Sequence, residues 1–177
     1  YGERGLDEHQ MSDSPLVEFD AWFKEVLSTD IPDKTAMVLS TVDAKGLPNS
    51  RVVLLKGTDT GAFTFYTNYE STKGIELEHM PYAALNFYWP TLVRQVRIRG
   101  PVHRVSEEMS EAYFASRSLM SQLSAAVSPQ SRTILSREGL LQEAQSLQQE
   151  KKSSVDQSIP CPSYWGGFAV LPEEVEF

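Results

Sequence analysis

The chain has 177 residues, 41% of them apolar, and a formal net charge of −8. That length fits one domain, residues 1–177, with a sizeable core, and the mixed charge reads as a soluble globular protein. The acidic balance argues against sequence-independent binding of DNA or RNA, which needs a cationic surface. It leaves anionic small molecules open, because a local Arg and Lys cluster binds phosphate whatever the global charge.

No apolar run approaches the length of a membrane-spanning helix, so no membrane partner is expected. The polar N-terminus carries no signal-peptide core. The one cysteine, Cys161, lies between Pro160 and Pro162. A lone cysteine forbids an internal disulfide and a multi-Cys metal site, and it suits a reducing, cytoplasmic setting. Both ends read as trimmed, since the chain begins at Tyr1 rather than Met and stops at Phe177.

Residues 1–13 are polar and read as an arm. Ser14-Pro15 reads as a helix start, a hydroxyl cap with Pro at the first helical position. Leu16, Phe19, Trp22, Phe23 and Val26 then recur at helical spacing. From Ala36 the period changes. Strands are expected over 36–42, 50–57 and 63–67, joined by turns at 43–46 and 58–61. Ser71 caps a short helix that stops before Pro81. Residues 83–89 and 95–105 read as two further strands, the second alternating basic Arg97 and Arg99 with apolar Val96 and Ile98. Helices are expected from Ser106 to about Arg117, near 121–127, and over 136–152. A polar loop over 153–163 leads into a last strand at 165–171. This pattern is mainly β with peripheral helices, an α+β arrangement. Closing an antiparallel meander into a small barrel would remove its exposed edges.

The common nucleotide-loop and nucleophile-elbow motifs are absent. His9, His79 and His103 are not at metal-ligand spacing, so no metal is expected. What remains is a distributed set. Arg51-Val52-Val53-Leu54-Leu55-Lys56 puts a cation at each end of an apolar strand. Both cations fit a curved site at a barrel rim, and equally fit exposed strand ends. Ser71-Thr72-Lys73 opens a helix, and a helix N-terminus with hydroxyls and a Lys is suited to an anion. It is also what an ordinary cap looks like. Gln95 can both donate to and accept from a heterocycle. Tyr113, Arg117 and Ser121 recur every four residues, so a continuous helix would place them on one face as a phosphate clamp. Gln130-Ser131 follow Pro129 in a loop with free donors. Phe87, Tyr88, Trp89 and Trp165 fit either a core or the wall of a flat ring.

Taken in order, these pieces resemble the pyridoxine/pyridoxamine 5′-phosphate oxidase family. The resemblance runs over the whole chain. It rests on Thr35-Ala36-Met37-Val38, Arg51–Lys56, Phe65-Tyr66-Thr67-Asn68, Arg94-Gln95-Val96, Tyr113-Phe114-Ala115-Ser116-Arg117, Ser121-Gln122, Gln130-Ser131 and Trp165-Gly166-Gly167-Phe168. It implies an antiparallel split β-barrel homodimer with flavin mononucleotide (FMN) at the subunit interface. By the resemblance, Arg51, Val52, Val53, Leu54, Leu55, Lys56, Tyr66, Thr67, Lys73, Gln95, Gln130 and Ser131 bind FMN. Thr72 stands where the family commonly has Arg, which implies weaker FMN binding. Lys56, Tyr113, Arg117 and Ser121 hold the substrate phosphate, and Tyr1 matches an arm residue that covers the substrate. The implied reaction oxidises pyridoxine or pyridoxamine 5′-phosphate to pyridoxal 5′-phosphate with dioxygen, giving hydrogen peroxide. The family continues beyond the match to Val175-Glu176-Phe177 with Trp-Gln-Gly and Arg-Leu-His-Asp-Arg segments that contact FMN and the pyridine ring, so a catalytic tail is expected beyond Phe177. A split-barrel module that holds FMN or pyridoxal phosphate without turnover is the alternative reading.

Overall fold

The computed structural model describes residues 6–7, 9, 11–153 and 158–177. Tyr1 and much of the expected arm lie outside the described residues. The first helix, α1 (Pro15–Leu27), buries Phe19, Trp22 and Val26, as the helical spacing requires. Pro15 opens it, but the Ser14 hydroxyl makes no capping bond. Glu18 in the first turn instead accepts from the Ser12 backbone N–H at 2.9 Å.

Strands β1 (Ala36–Val42) and β2 (Pro48–Leu54) form an antiparallel hairpin, with Ala36 opposite Leu54 and Val42 opposite Pro48. Asp43 shapes its turn, its Oδ1 accepting from the N–H groups of Lys45 at 2.8 Å and Leu47 at 2.9 Å. The second strand starts before and ends before the expected 50–57, because the chain changes partner. Leu55 N–H still donates to Thr35, but Lys56 N–H crosses to the Thr64 carbonyl at 2.8 Å. Thr64 lies on β3 (Phe63–Asn68) and forms an isolated antiparallel bridge with Gly57.

Next come α2 (Thr72–His79), β4 (Tyr82–Trp89) and β5 (Arg94–Arg104). Helices α3 (Glu107–Ser116), α4 (Leu119–Val127) and α5 (Arg137–Ser153) follow, then β6 (Trp165–Val170) and β7 (Glu174–Glu176). The strand order is β2-β1-β4-β5-β6-β3, with β7 added beside β5. All pairings are antiparallel. The two ends of that order meet at the Gly57–Thr64 bridge, which curls the sheet into a split barrel. The short β7 has no periodicity to reveal it. It is tied to β5 by ion pairs from Arg97 to Glu176 and from Arg99 to Glu174.

Phe63, Phe65, Leu85, Phe87, Val96 and Ile98 fill the barrel, and α1 plugs one end. The Phe19 ring meets Phe63 edge-on at 4.9 Å. Each such side chain contributes roughly 1.5–3 kcal/mol by leaving water. A second cluster of Phe114, Leu123, Ile159 and Trp165 lies between the α3–α4 layer and the outside of the barrel. On the outer face of the sheet, Val38, Val52, Leu54 and Tyr88 are exposed.

Candidate functional site

A cavity of about 620 Å³ opens between the barrel edge and the α3–α4 layer. The end of β2 lends Val52, Val53, Leu54 and then Lys56, while β3 lends Tyr66, Thr67 and Asn68. Lys73 enters from α2, and Trp165 from β6. Tyr113, Arg117, Ser118 and Ser121 come from the α3–α4 junction, Ser124, Ala125 and Ser128 from α4 and its end, and Gln130 from the loop beyond.

The first cationic station is Lys73. Its Nζ donates to Gln130 Oε1 at 3.0 Å, to Ser71 Oγ at 3.1 Å and to Thr67 Oγ1 at 3.2 Å. Thr67 also donates to Gln130 Oε1 at 3.0 Å. Burial pulls the Lys73 amine down to about 8, the nearby Arg51 adds to this, and Glu76 opposes it. An ammonium held only by neutral oxygens in a dry niche is suited to an anion. Ser71 also caps α2, accepting from the Gly74 N–H at 3.4 Å. Gly74 permits the helix to press on the turn before it, since a Cβ there would lie 2.1 Å from the Tyr69 carbonyl oxygen.

The second station is at the α3–α4 junction. Two helices stand here, as expected, so the single continuous helix that would align Tyr113, Arg117 and Ser121 by spacing does not form. The first of the pair stops at Ser116, Arg117 is extended with ψ 154°, and Ser118 caps the next helix. Tyr113, Arg117 and Ser121 nevertheless line one wall, because the break turns Arg117 inward. The Arg117 guanidinium lies 4.8 Å from the Trp165 ring, and its Nη1 is buried without a hydrogen-bond partner. Burial lowers its pKa, with the Tyr113 and Cys161 side chains working against that shift. Tyr113 stacks on Tyr66 at 4.0 Å, and Lys56 Nζ lies 5.9 Å from the Tyr113 ring centre. The two stations therefore share one aromatic-walled cavity.

Other sequence candidates stand elsewhere. Leu55 is buried in the barrel core. Thr72 is exposed in the first turn of α2, and Ser131 is exposed at φ 64°; neither lines this cavity. Arg51 points away to a buried network with Glu76 and Thr41. Gln95 lines a separate cavity of about 330 Å³ on the outer face of β4 and β5, beside Asn86 and Arg97. Among the described residues no group of His, Cys, Asp and Glu is placed to hold a metal ion. No helix among them is long and apolar enough to cross a membrane. Sequence reasoning passed over Asn68, Ser118, Ser124 and Ser128. Ser118 and Ser128 flank α4, so their cap positions were the available signal.

The cavity lies in a chain region with known relatives. Residues 23–151 match the model of the pyridoxamine 5′-phosphate oxidase family. A pyridoxine/pyridoxamine 5′-phosphate oxidase of Legionella pneumophila (strain Paris) is 51% identical over 177 residues, covering 100% of this chain and 81% of the relative. The protein of that name from Pseudomonas syringae pv. syringae is 48% identical, covering 100% of this chain and 82% of the relative. Among solved structures, PhzG from Burkholderia lata 383, in complex with tetrahydrophenazine-1-carboxylic acid, superposes with a TM-score of 0.89 at 23% identity, over 97% of this chain and 83% of that one. A pyridoxamine 5′-phosphate oxidase-related, FMN-binding protein from Nostoc punctiforme gives 0.73 at 20% identity, over 93% and 84%. These two show the same fold. With a family model matched over most of its length and relatives near half identity across all of it, the chain belongs to the pyridoxamine 5′-phosphate oxidase family.

Proposed function

We propose that the chain is an FMN-dependent oxidase that converts pyridoxine or pyridoxamine 5′-phosphate to pyridoxal 5′-phosphate, with dioxygen as acceptor and hydrogen peroxide as product. The observation that carries this reading is the pair of cationic stations on one cavity. A flavin mononucleotide and a phosphorylated substrate bring two phosphates, and each needs its own desolvated cation. The volume of about 620 Å³ lies within the range of small-molecule sites. The residues fit the cofactor: Lys73, Thr67 and Gln130 would hold the flavin phosphate, with backbone and side chains of Val52–Leu54 beside the ring system. When bound, FMN supplies the two-electron acceptor chemistry that no side chain in the cavity offers.

The chain's own residues then position. Arg117 presents a buried, unpartnered Nη1 to the substrate phosphate, and Lys56, Tyr113 and Ser121 complete the clamp. Fixing that phosphate orients the substrate ring within the aromatic walls and turns a bimolecular encounter into an oriented one. Trp165, Tyr66 and Tyr113 exclude water from one side.

Gln95 enters the same assignment through a second copy. The outer face that carries it exposes Val52, Leu54 and Tyr88, and Asn86 Oδ1 on it is buried without a partner. Homodimerisation over that face would cover the apolar side chains and place the flavin between subunits. One domain acting as such a dimer in the cytoplasm is the organisation that follows.

The test is reconstitution of the purified chain with FMN, desalting, and addition of pyridoxine 5′-phosphate in air. Retained flavin absorbance with pyridoxal phosphate and peroxide in equal amounts is the expected result. Flavin that washes away would sink the reading.

A further inference from the structure

A carboxylate buried beside a phosphate site works against the anion, so Glu76 calls for an account. It lies on α2 three residues after Lys73 and is buried. Its Oε2 accepts from Arg51 Nη2 at 2.9 Å and from Thr41 Oγ1 at 2.5 Å. Its Oε1 accepts from Asn49 Nδ2 at 2.9 Å. Arg51 is held in turn by the Leu39 carbonyl at 3.3 Å and by Thr41 Oγ1. Burial would raise the Glu76 pKa, but the hydrogen bonds from Asn49 and Thr41 and the charge of Arg51 outweigh it and hold it below the ordinary value. The network ties α2 to the β1–β2 hairpin one helical turn beyond Lys73.

We propose that Glu76 is a positioning residue for the anion cradle: one turn beyond Lys73 on α2, its carboxylate pins Arg51 against the hairpin and leaves Lys73 as the cation that faces the phosphate. This rests on reading the cradle as the flavin phosphate site. Lys73 and Glu76 are both buried one turn apart on α2, and Glu76 holds Arg51 at 2.9 Å. That geometry fits the direction of the Lys73 shift, which Arg51 from β2 deepens and Glu76 from α2 opposes. Thr67 from β3, Ser71 and Gln130 are neutral. Lys56 and Arg117 line other walls of the cavity, and Glu70 is already paired with Arg132 at 2.8 Å. Loss of the Glu76 charge leaves Lys73 facing only like charge.

The experiment follows the Lys73 side chain by ¹³Cε NMR in flavin-free protein with labelled lysine, assigned with Lys73→Arg, alongside FMN titrations from pH 6 to 9. Both are run on wild type and Glu76→Gln. The Lys73 midpoint, near 8 in the wild type, is expected to fall by on the order of one pH unit in Glu76→Gln. FMN affinity then drops about fivefold at pH 8 and hardly at pH 6. An unmoved midpoint, or an equal loss at both pH values, would reduce Glu76 to a structural tie and overturn the proposal. Should Glu76→Gln fail to fold, Arg51→Met decides, with the Lys73 midpoint expected to rise; a fall or no change overturns the proposal. A wild type that binds no FMN at any pH refutes the flavin reading instead, and the NMR midpoint still decides the role of Glu76.

Discussion

Lys73 Nζ and Gln130 Oε1 meet at 3.0 Å although 57 positions separate them in the chain. The contact joins the N-terminus of α2 to the loop after α4, so neither element forms the cradle without the other. An ammonium surrounded by Oγ1, Oγ and Oε1 atoms has satisfied hydrogen bonds but no counter-charge within the cradle itself. A phosphate would supply it.

Replacing Lys73 by Met keeps the length and removes the charge. A hydrogen bond to a charged group contributes about 1.5–3 kcal/mol, so FMN affinity is expected to fall roughly 10- to 100-fold. Fluorescence quenching on titration with FMN measures it. Unchanged affinity would place the flavin phosphate elsewhere.

The pH dependence follows from the sign of the shift. The amine is lowered from 10.5 to about 8, and only its protonated form attracts an anion. FMN binding is therefore expected to be full below about 8 and to weaken above it. In the ligand-free chain the same shift acts in the other sense. Between about 8 and 10.5 the unfolded state binds more protons at this group, so its contribution to stability rises with pH through that window. Comparing melting temperatures of wild type and Lys73→Met across that range isolates the contribution, and parallel profiles would contradict it.

Arg117→Ala removes the buried Nη1 that has no partner. The expected loss is in substrate recognition, with KM for pyridoxine 5′-phosphate rising about 10- to 100-fold. FMN affinity should stay within a few-fold of wild type, because the cradle lies on another wall. Steady-state kinetics on the flavin-loaded variant gives the answer, and a KM equal to that of wild type would remove Arg117 from the clamp.

Gly74→Ala probes the seat of α2. A Cβ there meets backbone, at 2.1 Å from the Tyr69 oxygen, so the helix must shift rather than a side chain rotate. Overpacking of this kind costs about 1–3 kcal/mol. Denaturant midpoint and FMN affinity are expected to fall together. A stable variant with weakened FMN binding would show instead that the helix moved without loss of packing.

Tyr88→Asp puts a charge on the exposed face that also carries Val52 and Leu54. Sedimentation is expected to show a dimer for wild type and a monomer for the variant, with FMN binding lost alongside. A wild-type monomer that binds flavin would refute the shared-site arrangement.

Much of the barrel was legible because alternation and helical spacing report burial directly. Phe19, Trp22 and Val26 read as one buried face and are one. Tyr113, Arg117 and Ser121 line one cavity for a different reason than helical spacing alone. One face would follow only from a continuous helix; the chain instead breaks at Arg117, and the three converge because Ser118 restarts the helix at once. Glu76 was not legible. A Glu inside a short polar helix reads as solvent-facing, and its burial depends on Arg51 and Asn49 arriving from a distant hairpin. Arg51, left open between a site and a strand end, pairs with Glu76 through the same tertiary contact. Strand β7 escaped notice because three residues carry no period.

The two separate apolar clusters give the molecule a barrel that holds itself together and a helical layer resting on its side. The cavity is the seam between them. Any ligand gripping Lys73 on one side and Arg117 on the other would act as a rivet through that seam, resisting the layer's lifting as well as the chain's unfolding. Amide exchange in α4 should then slow on ligand addition more than exchange in β4, making the seam itself a readout of occupancy.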